Sequence, residues 1–150
     1  MSIKPAERTS LEIKRVIRAP RDRVYAAWTD PAQLKEWFGP VNVRTRKIVA
    51  EAHVGGKFCW ELVNDEGEEM TVHGEYREVI AGKKIVFTWR WDEDELWKGR
   101  TSIVTVDLAE EKGGTEVTLL HEQLPSEESR DRHSKGWSSL FDQLEKFFSK

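Results

Sequence analysis

The sequence predicts an α+β fold: a curved antiparallel sheet of six to seven strands wrapped round one long C-terminal helix, with two short helices after the first strand. Three observations carry this. Two proline-marked helix starts follow the first apolar-alternating segment, a long run of period-two segments fills the middle, and the chain closes on an apolar period of three and four.

The first strand spans about Leu11 to Ile17, where Leu11, Ile13 and Ile17 alternate with Glu12, Lys14 and Arg18, so one face is buried. Ala19-Pro20 breaks it. Proline suits a first helical turn, whose N–H groups need no intrahelical partner, and Val24 and Trp28 then share that helix's inner face. Asp30 is a second N-cap with Pro31 at the first helical position, carrying Leu34, Trp37 and Phe38 inward until Gly39-Pro40 stops the helix.

From Val43 to Glu122 turn signals recur at Gly55-Gly56, Asn64 to Gly67, Ala81-Gly82, the acidic stretch Asp92 to Glu95, and Gly113-Gly114. Gly55-Gly56 reads as a two-glycine hairpin turn. Between the signals the period is two. Phe58, Trp60 and Leu62 share a face, as do Val72, Gly74 and Tyr76, then Ile85, Phe87, Trp89 and Trp91, then Val104, Val106 and Leu108, then Val117, Leu119 and His121. Charged and hydroxyl residues fill the opposite parity, which describes an antiparallel sheet with one wet face.

The last segment changes period. Ser126 caps, Glu127 and Glu128 sit where a helix N-terminus favours negative charge, and Trp137, Leu140, Phe141, Leu144, Phe147 and Phe148 recur at three and four over about 126 to 148.

Length and composition set the bounds. The 150 residues suit one domain spanning 1–150 with its core in 11–149, and no repeat or linker divides them. Seven Trp, six Phe and two Tyr supply a large aromatic core. The 24 Lys and Arg are interleaved with 27 Asp and Glu, so no basic stripe marks a nucleic-acid or anionic-membrane surface. No run approaches the roughly 18 apolar residues of a membrane span. A lone Cys59 and a polar start from Met1 to Ser10 lead to the expectation of a cytoplasmic protein without an internal disulfide.

A width comparison gives the expectation of a pocket. Six or seven strands at about 4.8 Å spacing make a sheet roughly 30 Å wide, whereas a helix with its side chains is about 10–12 Å across. The sheet must curl round the helix. Volume that the aromatics leave unfilled becomes a small-molecule site.

The run Ala19-Pro20-Arg21 to Trp28-Thr29-Asp30-Pro31, with Leu34, Trp37 and Gly39-Pro40, resembles the opening of the heat-shock protein 90 ATPase activator homologue family, within the START-like, birch-pollen-allergen-like (SRPBCC) superfamily. Gly55-Gly56-Lys57-Phe58, Gly74-Glu75-Tyr76, Val86-Phe87-Thr88-Trp89, Gly114-Thr115-Glu116, His121 and Gly136-Trp137 extend the resemblance over residues 11 to 149. It implies a helix-grip fold with an internal hydrophobic cavity for lipid or other small-molecule binding, in members that mostly lack a defined reaction. It also brings a link to stress response and to chaperone contact, to which a separate N-terminal domain contributes in the eukaryotic activators.

Candidate site residues follow from the inward parity and from the fold that the resemblance implies. Trp28, Trp37, Phe58, Trp60, Tyr76, Phe87, Trp89, Val106, Leu119, Trp137, Leu140 and Phe141 are candidates for the cavity lining, each with plain core packing as its alternative. Arg15 and His121 break the apolar face. If the first and last strands pair, as the superfamily implies, the two side chains lie near each other and orient a polar group of the ligand; otherwise Arg15 runs its stem over the core to water or a Glu, and His121 is a satisfied core histidine. Gly136 lies on the sheet-facing side of the last helix, where glycine costs about 1 kcal/mol relative to alanine. Either close backbone approach or ligand space offsets that cost. Trp97 stands behind the acidic stretch as a flap over the mouth or as a singly exposed aromatic.

No catalytic residue, metal site or cofactor is assigned, because His53, His73, His121 and His133 lack ligand spacing and Cys59 has no recognisable histidine partner. The leading function is therefore a carrier, sensor or sequestering protein, monomeric or weakly dimeric, for a small hydrophobic or amphipathic ligand. The alternatives are a cyclase or aromatase-type enzyme on a polyketide-like substrate, with Arg15, Tyr76 or His121 moving protons, and a chaperone-associated stress protein.

Overall fold

A computed structural model describes residues 8–39 and 42–149. Pro40 of the expected helix stop lies outside the described residues. The elements follow in the expected order: β1 (Leu11–Ile17), α1 (Arg21–Thr29), α2 (Pro31–Trp37), β2 (Val43–Ala50), β3 (Lys57–Asn64), β4 (Glu69–Ile80), β5 (Lys84–Trp91), a 3-10 turn (Glu95–Trp97), β6 (Ser102–Glu111), β7 (Gly114–Glu122) and α3 (Glu127–Phe148). The strands form one sheet in the order β1-β7-β6-β5-β4-β3-β2, antiparallel throughout.

Local chemistry places the boundaries. Asp30 accepts a 3.1 Å hydrogen bond from the Ala32 amide with Pro31 inside the first turn, and Ser126 accepts one of 3.0 Å from the Ser129 amide. Pro20 is the N-cap of α1 and not its first helical residue. The β2–β3 connection runs over six residues, 51–56, so Gly55-Gly56 is the end of a loop and not a two-residue hairpin turn.

Phe58, Trp60, Leu62, Val72, Tyr76, Ile85, Phe87, Trp89, Val104, Val106, Leu108, Val117, Leu119 and His121 are all buried on the sheet's inner face, against Trp137, Leu140, Phe141 and Leu144 of α3. Thr88 departs from the expected wet parity, for it is buried and its hydroxyl accepts from the Glu75 amide at 2.8 Å. The cause is Gly74: a Cβ there would stand 1.8 Å from the Thr88 carbonyl oxygen, so only glycine lets β4 and β5 approach so closely. Among the described residues no helix is long and apolar enough to cross a membrane.

Candidate functional site

Between the inner faces of β3 to β5, the 3-10 turn and the N-terminal half of α3 lies a pocket of about 540 Å³, within the roughly 300–1,000 Å³ of small-molecule sites. Its wall is largely aromatic: Trp60 from β3, Trp89 and Trp91 from β5, Trp97 from the 3-10 turn, and Trp137 from α3. Helix α3 supplies Ser129, Arg132, His133, Gly136, Trp137 and Leu140, which share a face because they recur at three and four residues. Glu68, Glu69, Glu93, Asp94 and Glu95 are solvent-exposed and form the rim.

Gly136 decides between its two readings. A Cβ built there meets no atom within 4 Å, so close backbone approach does not account for the glycine, which borders the open space of the pocket. Trp97 is resolved too. It is 1% exposed, its ring 5.7 Å from that of His133, so it is part of the wall and not a singly exposed aromatic.

Two histidines are fixed in one tautomer each. His121, fully buried, accepts at Nδ1 from the Trp137 indole N–H (3.0 Å); its Nε2–H donates to the Ser102 hydroxyl (2.8 Å), which in turn donates to the Trp89 carbonyl (2.7 Å). Burial, then the neighbouring His133, holds its pKa well below the ordinary histidine value. His133 has the opposite tautomer: Nδ1–H donates to the Ser129 carbonyl (2.7 Å) and Nε2 accepts from the Trp91 indole (2.9 Å). Its pKa is lowered by burial and by Arg132, against a raising contribution from the Ser129 carbonyl. The two rings meet edge to face at 5.1 Å. Both are neutral fixtures that orient indoles, and each proton position is set by its partners.

Of the fifteen expected site residues, Trp60, Trp89, Gly136, Trp137 and Leu140 come together in this wall. The others lie outside it. Trp28, Trp37, Phe58, Phe87 and Phe141 pack in the aromatic core, with Trp28–Trp37 centroids at 4.8 Å and Phe58–Phe87 at 4.9 Å. Val106 and Leu119 are cross-strand partners in the same core, and Tyr76 packs 5.6 Å from Phe87 with its phenol pKa raised by burial. His121 stands one layer behind the wall and touches it through Trp137.

The expected meeting of Arg15 with His121 does not occur. The strands β1 and β7 do pair, but Leu11 faces His121 whereas Arg15 faces Val117, an offset of four residues or about 13 Å. Arg15 instead reaches Asp142 (2.5 Å) and Glu145 (3.6 Å) on α3, with its guanidinium 5.8 Å from the Phe141 ring centre. Its stem crosses the core to an acidic partner, the alternative reading of its position.

Sequence reasoning missed Trp91 as a lining residue, together with Val43, Leu62, Met70, Ser129, Arg132, His133 and the acidic rim. The signal for His133 was present: it is three residues before Gly136 and four before Trp137, hence on the same helix face. Among the described residues no group of three or more His, Cys, Asp or Glu is arranged to hold a metal. Cys59 is half-buried, its thiol pKa raised first by that burial and then by Glu61.

Comparison with known proteins places the fold. No curated protein matches the chain. Among solved structures, a protein from Chromobacterium violaceum is 27% identical with a TM-score of 0.84, over 95% of this chain and 98% of that one. A protein of the Hsp90-activator-homologue type from Silicibacter pomeroyi is 26% identical with a TM-score of 0.79, over 91% and 94%. A protein from Rhodobacter sphaeroides, 24% identical over 99% and 97% with a TM-score of 0.82, shares the fold. The sequence profile of the family described as "Activator of Hsp90 ATPase homolog 1-like protein" matches residues 18–149. With its seven-stranded curled sheet held on a long C-terminal helix, the chain belongs to that family and has the START-like helix-grip fold.

Proposed function

We propose that the protein binds a small, ring-containing hydrophobic molecule in the pocket at Gly136, as a carrier, sensor or sequestering protein. The observation that carries this reading is the pairing of a costly mid-helix glycine with open space at its missing Cβ, inside an indole-lined wall. Burial of apolar ligand surface drives binding at about 25 cal/mol per Å². Trp89 contributes to the wall, and its indole N–H, like that of Trp28 in the core, is buried without an acceptor.

The enzyme reading loses its support at the residues named for it. Arg15 is engaged with Asp142, Tyr76 is in the core, and His121 has both ring nitrogens committed, so none of the three faces the pocket. The test is a titration of planar aromatic and fatty-acid libraries, read by tryptophan emission with calorimetric confirmation, beside native mass spectrometry of protein purified from its own host. Retention of a small molecule, or heat and an emission change with planar ligands, is the expected result. Silence across both libraries with no retained molecule would refute the reading.

A further inference from the structure

The rim charge and the wall chemistry act in the same direction, and from them we infer that the preferred ligand is a cation, an apolar ring system bearing an ammonium-type group. This rests on the reading of the pocket as a ligand site and specifies what it takes.

The rim carries five carboxylates, Glu68, Glu69, Glu93, Asp94 and Glu95, against one guanidinium, Arg132. They come from separate segments, the β3–β4 connection with the first residue of β4 and the β5–β6 loop, and converge on one mouth. Glu69 is paired with Arg46, but the hydrogen bonds of three others come from neutral donors: Glu68 from the Asn64 amide group (3.1 Å), Glu93 from the Thr71 amide (2.8 Å) and Asp94 from the Leu96 amide (3.0 Å). Such bonds aim a charge without cancelling it. Arg132 is itself 3.9 Å from Glu128.

The opposing features are weak. The N-terminus of α3 would favour an anion, but Glu127 and Glu128 already occupy its first turn and Ser126 caps it. Arg90 and Lys98 are not part of this wall but line a neighbouring hollow that shares Glu93, Asp94 and Glu95 with the rim. His133, inside the pocket, is held neutral by its Trp91 donor and puts no positive charge beside a guest. Below the rim the wall includes five tryptophans, and tryptophan is the strongest cation–π partner. A fatty acid would bring its carboxylate to this acidic mouth; an alkylated amine would find an attractive rim and an attractive wall.

The test uses three probes on one ring system: 2-naphthyl-trimethylammonium, its neutral isostere 2-tert-butylnaphthalene, and 2-naphthoate. Each is titrated calorimetrically into the full chain and into the double variant Glu93→Gln/Glu95→Gln, at about 0.01 M and about 1 M salt, between which the Debye length falls from ~30 to ~3 Å. The cation should bind at least about tenfold more tightly than its isostere at low salt, with much of that margin lost at high salt and in the double variant. The neutral probe should be insensitive to both changes. Equal affinities for cation and isostere, a tighter carboxylate, or a cation preference untouched by the double variant would overturn the charge preference while leaving the pocket standing. Failure of all three probes to bind, or binding of all three unchanged in Gly136→Leu, would instead overturn the pocket reading and the charge preference with it.

Discussion

Gly136 costs its helix about 1 kcal/mol relative to alanine, and no backbone contact offsets it, since a Cβ would meet nothing within 4 Å. Gly136→Ala should therefore raise the unfolding free energy by about 1 kcal/mol, seen as a higher urea midpoint at unchanged slope. The contrast is Gly74, where a Cβ would stand 1.8 Å from the Thr88 carbonyl oxygen. Gly74→Ala should lower stability by about 3 kcal/mol or more, because strand backbone cannot yield as a flexible side chain can. The sequence singled out Gly136 as a costly helix residue and left Gly74 among the inward-facing positions of its strand, so identical letters concealed opposite reasons. Only the neighbouring strand at Gly74, and its lack at Gly136, separates them.

At the scale of elements, period and punctuation made the architecture legible. Ser126 before Glu127 and Glu128 marks the start of α3, and the alternation through Trp60, Trp89 and His121 assigns the inner face of the sheet. Ser126→Ala should cost about 1 kcal/mol in thermal or urea unfolding, as the Ser129 amide loses its acceptor. Position along a strand was harder to read than face. Arg15 shares the parity of the core residues, but pairing register puts it four residues from His121 and beside Asp142 and Glu145 in the C-terminal half of α3. The pocket lies toward the β5–β6 loop, where Trp97 returns through a 3-10 turn that no periodicity announces. Parity tells which side a residue faces, and long-range register tells what it faces there.

For the molecule as a whole, the two locked histidines tie stability to pH. Both have folded-state pKa values below the ordinary value, chiefly through burial. The unfolded chain therefore takes up protons near pH 6.5 that the folded chain refuses, so their contribution is complete above about pH 6.5 and is lost as pH falls below it. Each histidine should add a slope of about 1.4 kcal/mol per pH unit in that window until its folded-state pKa is reached. Unfolding free energies from pH 8 to 5 would check this, with a shallower slope expected in His133→Gln, whose amide oxygen can still accept from the Trp91 indole. A stability curve flat between those limits would show that neither ring resists protonation.

The same core that holds these rings in place leaves the space beside Gly136, and that space is what the functional reading depends on. The most direct measurement is a calorimetric titration of one planar apolar ligand, selected from the library screen, into the native chain and into Gly136→Leu, with melting curves for both. Leucine there should occupy the pocket: affinity should fall at least about tenfold, while the melting temperature holds or rises with the better helix propensity and the smaller void. A Gly136→Leu protein that is folded, at least as stable, and binds the ligand with unchanged affinity would contradict the assignment of this pocket as the site.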